Sequence, residues 1–247
     1  MKNNQESNTY WDLLNKEKSI IKNSYENNTE IFDFVISSWE LFTVDNYFKS
    51  FSDQAALILM YKTQADVALM RAITSILKKE YSQAIYNIRY ALENISITIF
   101  AYSQPDTLVE IIGSVDRNRH DEKIKKAANK YLATDLAIRS SRLKNLHKMC
   151  DRFGSHQSMS HHSSNFIIDQ KTKKFHILLQ GSDSQEMNVG LTGIIVGLIL
   201  EFHFAVSEIG EVEHVKVRDE CNIKMKEVEN KLDKMKAKNI HLFLKLL

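Results

Sequence analysis

Along most of the chain apolar residues recur at intervals of three and four, the spacing that lays one face of an α-helix against a core. Tyr10 to Asn23 carries a weak form of this pattern, and Thr29 to Phe42 a stronger one through Ile31, Phe32, Phe34, Val35 and Trp39. Ser52-Asp53 predicts a helix start, with a capping serine and an acid in the first turn, and that helix runs to about Lys79. Leu57, Met60, Tyr61, Ala68, Ala72 and Ile76 mark its periodicity. A second long helix runs from about Tyr81 to Tyr102 and stops at Ser103-Gln104-Pro105, because the residue before a proline avoids helical dihedrals. Thr107-Leu108-Val109-Glu110 has the form of a capping box and predicts the start of a short helix. Residues 117 to 152 read as one or two basic helices with a break near Ala133-Thr134.

From Asn165 the pattern changes. Phe166-Ile167-Ile168 and Phe175 to Leu179 flank the polar run Asp169 to Lys174, which predicts a small β-hairpin insert near 165–180. Gly181 to Ser184 reads as a loop. A very long helix follows from about Met187 to Lys238, bent near Gly210. In its second half Cys221, Met225, Val228, Leu232 and Met235 are spaced 4-3-4-3, a heptad seam. Such a seam either lies on the body of its own subunit or packs against a partner helix; a homodimer through the C-terminal helix is expected, and the tail Ile240 to Leu247 is apolar enough to want burial. The simplest organisation is one helical domain over 1–247, with N-terminal helices at 10–50, a core at 53–209 and a protruding C-terminal helix at 210–247.

Composition agrees with an all-α chain. The 247 residues contain only seven Gly and one Pro, the residues that helix interiors exclude. A net charge of +2 argues against a dedicated duplex-DNA binder. Cys150 and Cys221, far apart, make no disulfide framework, and a reducing cytoplasmic location is the natural reading. The polar start Met1 to Glu6 has no apolar signal core. The most apolar run, Gly190 to Leu200, is shorter than the ~20 residues a bilayer requires, so a buried helix and no membrane association are expected.

Candidate chemistry sits in two places. Ser155 to Ser164 packs three His and five Ser into ten residues, and serine is disfavoured inside helices, so a helix end running into a loop is expected there. In the Tyr81–Tyr102 helix, Ile85, Ile88, Leu92, Ile95 and Ile99 form an apolar stripe, while Tyr86, Arg89, Glu93 and Ser96 form a separate polar row. Arg89 and Glu93 are four apart and therefore neighbours on the helix surface. Such a row either lines a polar cleft or is a solvated face with a surface ion pair.

Several of these segments together resemble a group of bacterial HEPN-like helical proteins. The run Leu69 to Leu77, followed by Tyr81 to Glu93 with its Arg89-x-x-x-Glu93 pair, ends in the Tyr-rich, Pro-terminated stretch Phe100-Ala101-Tyr102-Ser103-Gln104-Pro105. A later Ser-x-x-x-His element is matched by Ser158 with His162, or more loosely by His161. The resemblance covers roughly residues 53 to 205. It implies an all-α HEPN-like helical bundle, activity as a dimer and, in many members, metal-independent RNA cleavage by an Arg and a His four to six residues apart. Arg142-Leu143-Lys144-Asn145-Leu146-His147 has that spacing, but Leu143 stands where a polar residue is usual. Arg142 and His147 also point to different sides of a regular helix.

The expected catalytic set is therefore Arg89 and Glu93 with His161 or His162, and Tyr86, Ser158, Arg142 and His147 as substrate-binding residues. Imidazole ionises nearest neutrality and suits general acid–base work, while arginine grips phosphate bidentately. Between Arg117 and Arg152 eleven Lys or Arg stand against four Asp or Glu, a basic stretch able to follow an RNA or nucleotide phosphate. His147, Cys150, His156 and His161 form H-x2-C-x5-H-x4-H, which matches no standard zinc finger, so neither metal nor cofactor is expected. Gly-rich phosphate loops, G-x-S-x-G, H-E-x-x-H and EF-hand patterns are absent. The expected function is a bacterial stress or phage-defence protein, a candidate metal-independent endoribonuclease. The alternative is a non-catalytic helical binding or dimerisation module.

Overall fold

The computed structural model describes residues 10–52, 55–114, 120–154, 166–169, 174–177 and 184–239. Within them the chain is a helical bundle with two small antiparallel ribbons. The helices are α1 (Tyr10–Asn27), α2 (Thr29–Phe42), α3 (Val44–Tyr47), α4 (Ala56–Leu77), α5 (Tyr81–Ser103), α6 (Pro105–Ser114), α7 (His120–Asp135), α8 (Ala137–Gly154), α9 (Gln185–Ile209) and α10 (Cys221–Lys238). The strands are β1 (Phe48–Phe51), β2 (Phe166–Asp169), β3 (Lys174–Ile177) and β4 (Val215–Val217).

Helix α9 is the axis of the bundle. Nearly every residue from Met187 to Val206 is buried, and α2, α5, α8 and α10 pack around it. It is long and apolar enough to cross a membrane, and here it is buried among other helices. A helix apolar on all sides is what a central position demands. Ser184 caps its start, its Oγ accepting from Met187 N at 3.2 Å. Gly210 stops it, at a φ of +86° that side chains with a Cβ adopt only under strain.

That stop corrects the single helix expected from Met187 to Lys238. The linker after Gly210 turns back and forms β4, which pairs with β1 through Phe48↔Val217, Ser50↔Lys216 and Phe51↔Val215. The ribbon is extended by Arg218 N donating to Tyr47 O at 2.9 Å and Ser52 N to His214 O at 2.9 Å. A three-residue strand with so little alternation leaves no periodic signal, so only the tertiary pairing reveals it. The hairpin β2–β3 pairs Phe166↔Ile177 to Asp169↔Lys174, as the sequence predicts.

Helix starts shift by a few residues. Ser52 does not cap α4, which begins at Ala56 after a turn in which Ala55 N donates to Ser52 O at 2.9 Å. Helix α6 begins at Pro105, not at the Thr107 capping box. Proline suits the first helical position because its missing N–H would be unpaired there anyway. The break between the basic helices falls at Leu136, with the two helices packed on each other as a hairpin.

The heptad seam of α10 is used within the chain. Cys221, Met225, Val228 and Leu232 are all buried, and α10 lies on α9 and α2. Helix α10 therefore packs on the body where a protruding helix was expected, with four of its five seam residues buried within the chain.

One core, contributed by nearly every helix, holds these elements together. Inside it is a buried ion pair. Lys62 of α4 is fully buried, its Nζ donates to Asp66 Oδ1 and to Phe42 O, and it stands 3.3 Å from the centre of the Phe42 ring. Asp66 in turn accepts from Val44 N at 3.1 Å, and its backbone carbonyl accepts from Trp39 Nε1 at 3.0 Å. The pair thus fastens the end of α2 and the start of α3 to α4. Beside it, Phe42, Tyr47 and Phe202 stack in tilted and edge-on pairs, and Tyr47 Oη lies 2.9 Å from His203 Nδ1.

Candidate functional site

The polar row of α5 meets α8, and the residue that joins them is Asp151. The Arg89 guanidinium donates from Nη2 to Asp151 Oδ1, and the other oxygen, Oδ2, lies 3.1 Å from His147 Nδ1. Asp151 and His147 are one helical turn apart on α8, so the local helix alone brings them together. The packing of α5 on α8 then adds Arg89. All three side chains are partly exposed, between a third and a half. With Nδ1 turned to a carboxylate, the ring proton belongs on Nδ1, and Nε2 is left to accept a proton.

Arg89 retains donor capacity. Guanidinium has five N–H groups, and Nε, buried, has no hydrogen-bond partner among the described residues. Cys150, next to Asp151, faces the core, and burial pushes its thiol up to about 12. It is therefore a packed apolar group and not a nucleophile.

The expected partners are arranged otherwise. Glu93 does not pair with Arg89; its Oε2 lies 2.7 Å from Lys125 Nζ of α7. Arg142 and His147 are both on α8 but about 140° apart around the helix axis, and each has its own partner. Arg142 Nη1 donates to Glu201 Oε1 at 3.1 Å, and the same nearly buried carboxylate accepts from Arg139 Nη1 at 3.0 Å. Arg139 also reaches Glu208 and lies against the Phe204 ring. Arg142 thus edges a groove of about 600 Å³ between α8, α9 and α10, walled by Leu146, Met149, Leu200, Phe204 and Leu232. Tyr86 is exposed, one turn before Arg89. Ser158, His161 and His162 lie outside the described residues, as do His156 and the rest of the Ser/His segment, which begins directly after α8 ends at Gly154.

Asp151 was missed from the sequence. The available signal was the spacing His147-x-x-x-Asp151, which on a basic helix marks an imidazole with a carboxylate in reach. On the same outer face of α8, at helical spacing, stand Lys144 and Lys148, both exposed and in no ion pair among the described residues.

The chain matches no family model, no curated protein and no solved structure.

Proposed function

We propose that the chain is an HEPN-like, metal-independent endoribonuclease of a bacterial stress or phage-defence type, with His147, Asp151 and Arg89 at its centre. The observation that carries this reading is the single Asp151 carboxylate that touches both an imidazole of α8 and a guanidinium of α5 at the protein surface. Those are the groups that RNA cleavage without a metal requires.

In such a reaction His147 Nε2 removes the proton from a ribose 2′-hydroxyl, and the 2′-oxygen attacks the neighbouring phosphorus. The bond from phosphorus to the 5′-oxygen breaks, and the leaving oxygen takes up the proton that the His147 imidazolium now carries, which restores the neutral imidazole and ends in a 2′,3′-cyclic phosphate and a free 5′-hydroxyl. Asp151 holds the imidazole in the tautomer that leaves Nε2 unprotonated. The terminal N–H groups of Arg89 that Asp151 does not use face the negative charge that builds on the phosphoryl oxygens. The Lys144 and Lys148 ammoniums add a positive field for the flanking phosphates. Every bond change uses groups of the chain and of the RNA alone.

The test is incubation of the purified protein with labelled RNA, with and without EDTA, beside His147→Ala, Asp151→Asn, His161→Ala and His162→Ala. Cleavage that survives EDTA and disappears in His147→Ala supports the reading. An intact substrate in every condition favours the non-catalytic module. Cleavage lost only in His161→Ala or His162→Ala moves the base from α8 to the Ser/His segment.

A further inference from the structure

We propose that Tyr86 is a stacking platform for one unpaired nucleobase, so that the site on α5 and α8 selects single-stranded over duplex nucleic acid. The inference rests on the proposed RNA reading and adds to it what the polar triad cannot supply, namely recognition of a base.

Tyr86 is the most exposed aromatic side chain among the described residues, at 65 % of its surface. It lies on the same face of α5 as Arg89, one turn away, so the two backbone positions are about 4.5 Å apart along the helix axis. The neighbouring Tyr90 has a different role, because its hydroxyl donates to Gln64 Oε1 at 2.9 Å and ties it to α4. No such bond holds the Tyr86 hydroxyl among the described residues, which leaves its ring face open.

Charge says what covers this ring. On the α8 side of Arg89 stand the exposed Lys144 and Lys148, on one face with His147 and Asp151. An exposed aromatic ring on one helix and a cationic face on the helix packed against it are the elements by which proteins hold single strands, the base stacking on the ring while the phosphates follow the charge. A duplex hides its base faces and has only phosphates to offer.

The probe is a short fluorescein-labelled 2′-O-methyl oligonucleotide, which binds as RNA does but lacks the 2′-hydroxyl needed for cleavage. Its affinity is measured by anisotropy with the full chain, Tyr86→Phe and Tyr86→Leu, each checked for native melting. Expected are unchanged binding in Tyr86→Phe and about tenfold weaker binding in Tyr86→Leu, the loss of one stacked base. An abasic oligonucleotide of equal charge weakens binding to the native protein similarly and no longer distinguishes it from Tyr86→Leu. Equal affinity of Tyr86→Leu and the native protein, equal affinity for the abasic strand and the duplex, or no binding at all overturns the proposal. If the stacking pattern is found while the corresponding ribose strand stays uncut, the platform stands and the cleavage reading falls.

Discussion

His147 Nδ1 stands 3.1 Å from Asp151 Oδ2, one turn further along the same helix, while Asp151 Oδ1 accepts from Arg89 of the neighbouring helix. One carboxylate thus serves an imidazole and a guanidinium, and its removal separates two effects. Asp151→Asn keeps the shape but loses the charge. RNA cleavage is expected to fall by about two orders of magnitude or more, since the imidazole loses the group that fixes its tautomer. Thermal stability is expected to change little, because a partly exposed ion pair contributes at most about 1 kcal/mol. Rates and melting curves on one preparation check both. A large drop in melting temperature with cleavage unchanged would make the cluster structural.

The Lys62–Asp66 pair gives the opposite expectation. Burial pushes the Lys62 ammonium down to about 8 and the Asp66 carboxyl up, against the mutual attraction that favours both charges. Lys62→Met leaves a buried carboxylate without its cation and is expected to cost about 3–5 kcal/mol. The double variant Lys62→Met with Asp66→Asn recovers most of that loss, because the amide still accepts from Val44 N. Urea unfolding of the single and double variants measures the coupling. Simple additivity of the two losses would refute it.

His203 predicts an acid weakness. Burial lowers its imidazole to about 4, and Tyr47, whose own hydroxyl is pushed well above its usual range by burial, lies 2.9 Å from Nδ1. The folded state therefore resists protonating His203, while the unfolded chain protonates near 6.5. Stability from this group is complete above about pH 6.5 and is lost as pH falls towards 4, by about 3 kcal/mol in all. His203→Asn, which cannot titrate, is expected to flatten the stability profile between those values. An unchanged slope in that variant would assign the acid sensitivity to other groups.

The α4–α5 turn holds a local strain that can be relieved. Lys79 sits at a φ of +63°, in the left-handed region, where Lys79 N donates to Ile76 O at 2.9 Å and Glu80 N to Ser75 O at 2.8 Å. Glycine is the residue that helix ends favour at such a position. Lys79→Gly is expected to raise stability by up to about 1 kcal/mol, read from the urea midpoint. A decrease would mean that the lysine side chain contributes more than its backbone costs.

The helices were legible because burying one face of each imposes a period that the residues must carry. Helix α5 runs over nearly the span that its apolar stripe and Pro105 mark, and the β2–β3 hairpin falls where the apolar runs alternate with a polar turn. Helix ends were less legible, since Ser52 and Thr107 have the chemistry of caps but the chain caps elsewhere. A 4-3 seam states only that a helix face is apolar, and its own bundle closed the α10 face.

The sequence by itself determined that the chain is helical, that Tyr86, Arg89 and Glu93 share a row, and that His147 and Asp151 are neighbours, all consequences of a 3.6-residue turn. Only the tertiary structure decided which of these rows meet. It placed Arg89 on Asp151, gave Glu93 to Lys125 and turned Arg142 to Glu201, because the pairing of side chains across helices depends on how each helix is rotated about its own axis in the core. That rotation is set by the sum of many apolar contacts around α9, and no short motif carries it.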